Sequence, residues 1–237
     1  MDRNKWKDII TCVRLIKYGM NVKSSLGAML LFTAVGIAFE IMHMLGMEEY
    51  RNMVGIDFGA LFLYSAAMYP AQILMSLDIS GMVQASPYKR RIQTSTMSLA
   101  SLCGNLAALA IVLLERGLCA FVMPQRAALI WHDLPVIGLM GLGLSIMGAL
   151  LYKFYILSII VLAVVFGSVG SWMAIAENMG METGMNPLGN MSLPAAIAFC
   201  IVMILLGNGI QYLIARMIYK RPYSKGAFGN AVGKKFI

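Results

Sequence analysis

Residues 26–47 decide the fold. They read LGAMLLFTAVGIAFEIMHMLGM, a run whose ionisable side chains are limited to Glu40 and His43. About 20 predominantly apolar residues are enough for a helix to cross a hydrocarbon core about 30 Å thick. A helix on the surface of a soluble protein would show a charged face along its length. Since this run has no such face, it predicts a transmembrane helix.

Runs of the same kind recur along the chain, at residues 54–77, 97–118, 134–151, 155–176 and 194–214. With 59% hydrophobic and only 13% charged residues, the chain has too little polar surface for a soluble globule of its size. The expected fold is therefore all-α: a polytopic membrane protein with six transmembrane helices and an N-terminal amphipathic interfacial helix.

The division into parts follows from these runs. We predict an interfacial elbow helix over residues 1–25, a transmembrane domain over 26–214 with a cytoplasmic loop at 78–95, and a basic cytoplasmic tail over 215–237. In the elbow, Trp6, Ile9, Val13 and Ile16 recur at helical spacing while Arg14 falls on another face, which is typical of a helix lying in the membrane interface. This helix is either an elbow that links cytoplasmic events to the first span or a simple interfacial anchor.

Lysine and arginine residues are distributed unevenly over the predicted loops. If both termini are cytoplasmic, 16 of the 19 basic residues lie on the cytoplasmic side, as the positive-inside rule requires. Only Arg51, Arg116 and Arg126 then belong to the outer side. The asymmetry predicts an even number of spans with both ends inside the cell.

The cytoplasmic connection between the second and third predicted spans contains the most informative local pattern. A serine followed by a proline is a good helix start, because the serine caps and the proline fits the first helical position. Three basic residues follow and would be presented to whatever docks there, although they also fit a purely topological signal. The coupling segment consists of Ser86, Pro87, Tyr88, Lys89, Arg90 and Arg91.

On these residues and on its overall layout, the chain resembles the permease subunits of ABC-2 type exporters. Those proteins have an amphipathic elbow, six spans, cytoplasmic termini and a coupling helix between spans two and three, opened by a Ser-Pro or Leu-Pro element with basic residues after it. The resemblance extends over nearly the whole length. Many members carry a further basic residue where this chain has Thr94, Ser95 and Thr96.

The resemblance implies transport of a peptide, drug or lipid-like substrate, powered by a separate ATPase subunit. The chain has no GxxxxGK[ST] loop to hold ATP phosphates, so ATP and Mg2+ are expected in the partner, with no cofactor in this chain. Further expected partners are a second permease copy or a related permease chain, and membrane lipids, with no nucleic acid. The implied location is a bacterial-type plasma membrane.

Glu40 and His43 lie three residues apart, on one face of the first predicted span. Ionisable groups at that depth are costly unless they meet a partner or a water-filled path. They are therefore candidates for the substrate path or for proton transfer. The alternative is that Glu40 bonds to a neighbouring helix and His43 lies near the outer headgroups.

Two other function classes remain open. One is a non-transporting immunity or sensor-associated membrane subunit that binds a toxic peptide. The other is an intramembrane enzyme, but His43 and His132 are far apart in sequence and form no HExxH motif, so no catalytic residue is assigned. No metal site is expected either, because the four cysteines show no CxxC spacing.

Overall fold

A computed structural model describes Arg14 and residues 22–45, 57–78, 87–151, 153–154, 157–158, 160 and 191–222. Within these ranges every regular element is a helix, as the composition predicts. The predicted elbow at 1–25 therefore falls outside the described residues, apart from Arg14 and residues 22–25, which begin the first long helix. The tail after residue 222 and most of the fifth predicted span fall outside them as well.

The described elements follow the predicted order. The bounds are α1 Val22–Met44, α2 Phe58–Ala67, α3 Tyr69–Asp78, α4 Lys89–Arg91, a π-helical turn Ile92–Thr96, α5 Met97–Val122, a 3-10 turn Pro124–Arg126, α6 Ala127–His132, α7 Leu134–Leu151 and α8 Leu193–Ile218.

Four stretches among the described residues are long and apolar enough to cross a membrane: Val22–Met44, Lys89–Val122, Ile130–Leu150 and Leu193–Ile218. They coincide with the first, third, fourth and sixth predicted spans. The chain is thus a membrane-embedded helical protein. The predicted count of six spans is not established by these four.

The second predicted span consists of two shorter helices, α2 and α3, which meet at Met68. The amide N of Met68 donates to the carbonyl oxygen of Ser65 over 3.1 Å, so the helix tightens as it ends. Pro70 explains the break, because proline has no N–H to donate and disfavours helical geometry at the residue before it.

Contacts between side chains fix the direction of the helices. Phe62 of α2 stacks on Phe39 of α1 and meets Phe32 of α1 edge-on. Leu63 lies against Gly36, while Gly59 lies against Glu40, so α2 runs back along α1. The next long helix, α5, returns in the direction of α1. Helix α7 then runs opposite to α5, and α8 runs parallel to α7.

Helices α7 and α8 pack along a seam of small residues. A Cβ added to Gly138 would lie 2.9 Å from the Cα of Cys200, and one added to Gly207 would lie 2.8 Å from the Cα of Leu142. Close backbone approach through glycine is a usual means of packing helices in lipid. Gly143, by contrast, has no atom within 4 Å of such a Cβ and takes no part in the seam.

Large apolar side chains remain exposed on the outside of the bundle. Leu31, Leu114 and Met217 are 62%, 67% and 81% exposed. On a soluble protein, contiguous surfaces of this kind mark an interface. Around a helical bundle of this hydropathy, they are the faces expected to contact lipid.

Candidate functional site

An arginine on the third predicted span is fully buried. Arg116, on α5, is 1% exposed. Its Nη2 lies 2.5 Å from Oδ2 of Asp57 and 3.5 Å from Oε2 of Glu40, and its Nη1 donates to the carbonyl oxygen of Ile130 over 2.6 Å. Glu40, Asp57 and Arg116 form the buried ion cluster.

Each member of the cluster is held by a different element. Asp57 is the N-cap of α2, with extended backbone, and its Oδ1 accepts from the amide N of Ala60 over 3.0 Å. This is the role that aspartate fills best at a helix start. Glu40 projects from α1 next to Gly59, where a Cβ would come within 2.6 Å of the Glu40 amide N. Glycine at this position lets α1 and α2 approach closely enough to enclose the carboxyl group.

The cluster contains two carboxyl groups and one guanidinium group. Glu40 is 0% and Asp57 5% exposed, so neither reaches water. Among the described residues, neither carboxyl oxygen of Glu40 has a hydrogen-bond partner, and the same holds for Arg116 Nε and the Tyr64 hydroxyl. Unsatisfied buried groups of this kind are costly and call for an explanation.

His43 lies closer to the end of the bundle than Glu40 does. Its Nε2 is 3.6 Å from Oδ2 of Asp133, and the two side chains are 25% and 28% exposed. Glu40 and His43, predicted as one pair, therefore have different partners: the glutamate joins the buried ion cluster and the histidine joins a partly exposed pair beside it.

A second polar network crosses the middle of the bundle. Asn105 of α5 donates to Oγ of Ser145 over 2.8 Å, and Asn208 of α8 approaches the same oxygen at 3.3 Å. Ser145 in turn donates to the carbonyl oxygen of Gly141. Such hydrogen bonds between helices stabilise packing within a membrane, and they tie α5 to the α7–α8 pair.

The coupling segment is described from Pro87 onwards, while Ser86 lies outside the described residues. Pro87 and Tyr88 form a turn, and Lys89–Arg91, the basic turn, begins a helix that continues through the π-helical turn into α5. From Lys89 to Val122 this helix has 34 residues. The basic turn is therefore the first turn of the long helix within the described residues.

The basic turn lies at the end of the bundle where α7 and α8 finish. The guanidinium carbon of Arg90 is 5.4 Å from the ring centroid of Tyr219. Nearby, Lys153 Nζ donates to the carbonyl oxygen of Arg221 over 2.6 Å. We call this the basic end; the buried ion cluster lies toward the opposite end.

Sequence reasoning missed Arg116 and Asp57. It assigned Arg116 to the outer side and gave Asp57 no role, whereas the structure buries both residues near Glu40. A signal was present for the arginine, because Arg116 falls inside the apolar run 97–118, and a charge there is rare without a partner. For Asp57 there was no such signal, since its position depends on how α2 begins.

Comparisons with protein families, curated proteins and solved structures find no match to this chain. What the arrangement can do follows from its own groups. A buried carboxyl group can hold a proton or bind a cationic group, and a basic turn with Arg90 exposed can bind an acidic surface. In the described ranges, no group of three or more His, Cys, Asp or Glu residues is placed to hold a metal ion.

Proposed function

We propose that this chain is the permease subunit of an ATP-driven exporter of the ABC-2 type, which moves a peptide, drug or lipid-like substrate with energy from a separate ATPase subunit. One observation carries the proposal. A single 34-residue helix, Lys89–Val122, joins the basic turn at one end of the bundle to the buried ion cluster near the other.

The surface at the start of this helix suits a docking partner. Arg90 is exposed and Tyr88 is 40% exposed. An aromatic ring beside guanidinium groups is a combination enriched at the centres of protein interfaces. The partner surface would be acidic, which favours rapid and oriented association.

The long helix gives a route from docking to the membrane interior. Helix α5 contacts α1 and α2 through Arg116 and contacts α7 through Asn105. A tilt of its basic end would displace the guanidinium group from the two carboxyl groups. The π-helical turn Ile92–Thr96 lies just after the basic turn, and π-turns within α-helices often mark functional positions.

The proposal includes the arrangement in the cell. Both termini are cytoplasmic in a bacterial-type plasma membrane, so the basic end faces the ATPase. Two permease chains, identical or related, complete the transporter. ATP and Mg2+ bind to the ATPase subunits.

The test is retention of an ATPase by the purified complex. The double variant Arg90→Ala, Arg91→Ala should lower the amount of ATPase that copurifies from native membranes several-fold, because it removes two charges from the docking turn. The matched control is Lys220→Ala, Arg221→Ala, which removes the same charge from exposed residues at the same end. Mass spectrometry quantifies the retained protein at equal permease abundance.

The control should retain the ATPase at the parent level. Equal retention by both double variants would contradict docking at the basic turn. Copurification of a peptide without any ATPase would instead favour the immunity or sensor-associated function.

A further inference from the structure

In the part of the chain that the structure describes, the enclosed Glu40 carboxyl group meets no hydrogen-bond donor. It is 0% exposed, and Arg116 Nη2, its cationic partner among the described residues, lies 3.5 Å away, beyond ordinary hydrogen-bond length for a charged pair. Neither carboxyl oxygen accepts a hydrogen bond from any described residue. An ionised carboxylate in such a place would lose its hydration with little in return.

The charges of the cluster do not balance when all three groups are ionised. Asp57 and Glu40 then carry two negative charges against the single positive charge of Arg116. A net charge buried among apolar helices is strongly unfavourable, and a group in this position tends to neutralise instead. One bound proton makes the cluster neutral.

We propose that the buried ion cluster is a proton-binding site, in which Glu40 carries one proton while Asp57 and Arg116 remain an ion pair. This inference does not depend on the exporter proposal, because it rests only on the enclosure and charge of the three groups.

Hydrogen bonding places the proton on Glu40. Asp57 accepts from the amide N of Ala60 and from Arg116 Nη2, at 3.0 and 2.5 Å, so its ionised form is well satisfied. It also caps α2, where the partial positive charge of the helix start favours a carboxylate. Glu40 has neither advantage among the described residues, and its neutral form loses no ionic hydration on burial.

A proton suits this site better than a metal cation. Sodium-like and calcium-like ions need several oxygen ligands around them, but the guanidinium group of Arg116 lies among the carboxyl oxygens and would repel a cation. The backbone is also close, since Gly59 packs against Glu40 without room for a methyl group. A proton needs only one lone pair.

The surroundings offer a route for the proton. The ionisable groups that act on Glu40 are Asp57, Glu115 and Arg116, with Tyr64 and Cys119 also within electrostatic reach. His43 lies one helical turn from Glu40 and pairs with Asp133 at a partly exposed edge. Among the described residues, this pair and the partly exposed Glu115 are titratable groups near the cluster that solvent reaches.

Infrared spectroscopy of the protein reconstituted in lipid tests the proposal. At about pH 8, well above the range in which solvent-exposed carboxyl groups titrate, the parent should retain the carbonyl band of a protonated carboxylic acid, with the usual downshift in D2O. Carbon-13 in the glutamate carboxyl groups should shift this band, and carbon-13 in aspartate should not. These measurements need no substitution.

Two variants then locate the proton. Glu40→Gln should abolish the band. Asp57→Asn should also abolish it, although Glu40 is still present, because one carboxylate then balances Arg116 and Glu40 ionises. If Asp57 had only a structural role, there would be no reason for Asp57→Asn to abolish the band of Glu40. Circular dichroism and size-exclusion chromatography establish that both variants are folded.

Several outcomes would overturn the proposal. No protonated band in the parent at about pH 8 means that Glu40 is ionised. A band that responds to labelled aspartate, or that survives Glu40→Gln and disappears in Glu115→Gln, places the proton elsewhere. A band that is lost when sodium chloride replaces choline chloride at constant pH identifies a cation site instead.

Discussion

Arg116 is buried on a long, largely apolar helix, and its surroundings explain how it is tolerated. Three oxygen atoms surround the guanidinium group: one from each carboxyl group and one from the Ile130 carbonyl. The arginine thus links α1, the start of α2, α5 and α6. Removing one charged partner lowers the free energy of unfolding by more than the intact pair contributes, because the remaining charged groups stay buried without compensation.

Arg116→Met should lower the free energy of unfolding by about 3–5 kcal/mol, the usual cost of breaking a buried charge pair. The methionine retains most of the apolar volume and leaves Asp57 without its charged donor. Unfolding in mixed micelles of mild and denaturing detergent measures the difference. The control is Arg126→Met, at an exposed position near the same end of the bundle.

The control should differ little from the parent. Were Arg116→Met as stable as Arg126→Met, the ion cluster would not contribute to holding the helices together.

Packing of α7 against α8 depends on which glycines face the seam. Gly207 is buried against Leu142, while Gly209, two residues later on the same helix, is exposed with no atom within 4 Å of an added Cβ. Two residues correspond to about 200° around a helix. Gly207 therefore faces α7, and Gly209 faces outward.

Gly207→Ala should destabilise the protein by about 1–3 kcal/mol, as overpacking does. The new methyl group would meet the Cα of Leu142 at 2.8 Å and its carbonyl oxygen at 3.1 Å, and backbone atoms cannot move aside unless the helices separate. Gly209→Ala lacks this clash and should gain up to about 1 kcal/mol from helix propensity. Thermal denaturation in detergent compares the two variants with the parent.

A Gly207→Ala protein at least as stable as Gly209→Ala would show that α7 and α8 are not packed through this seam.

The directions of the helices constrain the topology of the whole molecule. Leu134 at the start of α7 lies near Cys200 early in α8, with 3.1 Å between the Leu134 carbonyl oxygen and Sγ. At the other end, Lys153 contacts Arg221. Helices α7 and α8 are therefore parallel, the direction expected for two spans if the predicted fifth span crosses the membrane between them.

Lys153→Cys and Ser192→Cys should consequently react from opposite sides of the membrane in a background without native cysteines. We expect Lys153→Cys on the cytoplasmic side, where lysine and arginine accumulate, and Ser192→Cys outside. Membrane-impermeant maleimide applied to intact cells and to inverted vesicles distinguishes the two sides. Arg221→Cys and Arg126→Cys serve as reference positions for the basic end and for the opposite end.

Labelling of Lys153→Cys and Ser192→Cys from the same side would contradict an odd number of crossings between α7 and α8. Reversal of both reference positions would instead invert the proposed orientation in the membrane.

The sequence by itself determined the helical class, the membrane environment and the approximate bounds of four long helices, because apolar length and composition are local properties that lipid selects directly. It also singled out Glu40. Only the tertiary structure decided that Glu40 meets Arg116 and Asp57, which are 76 and 17 residues away along the chain. It likewise decided which glycines form the α7–α8 seam. Partners of this kind depend on how helices rotate and stack against one another, and that is fixed by the summed packing of the bundle, which no local pattern encodes.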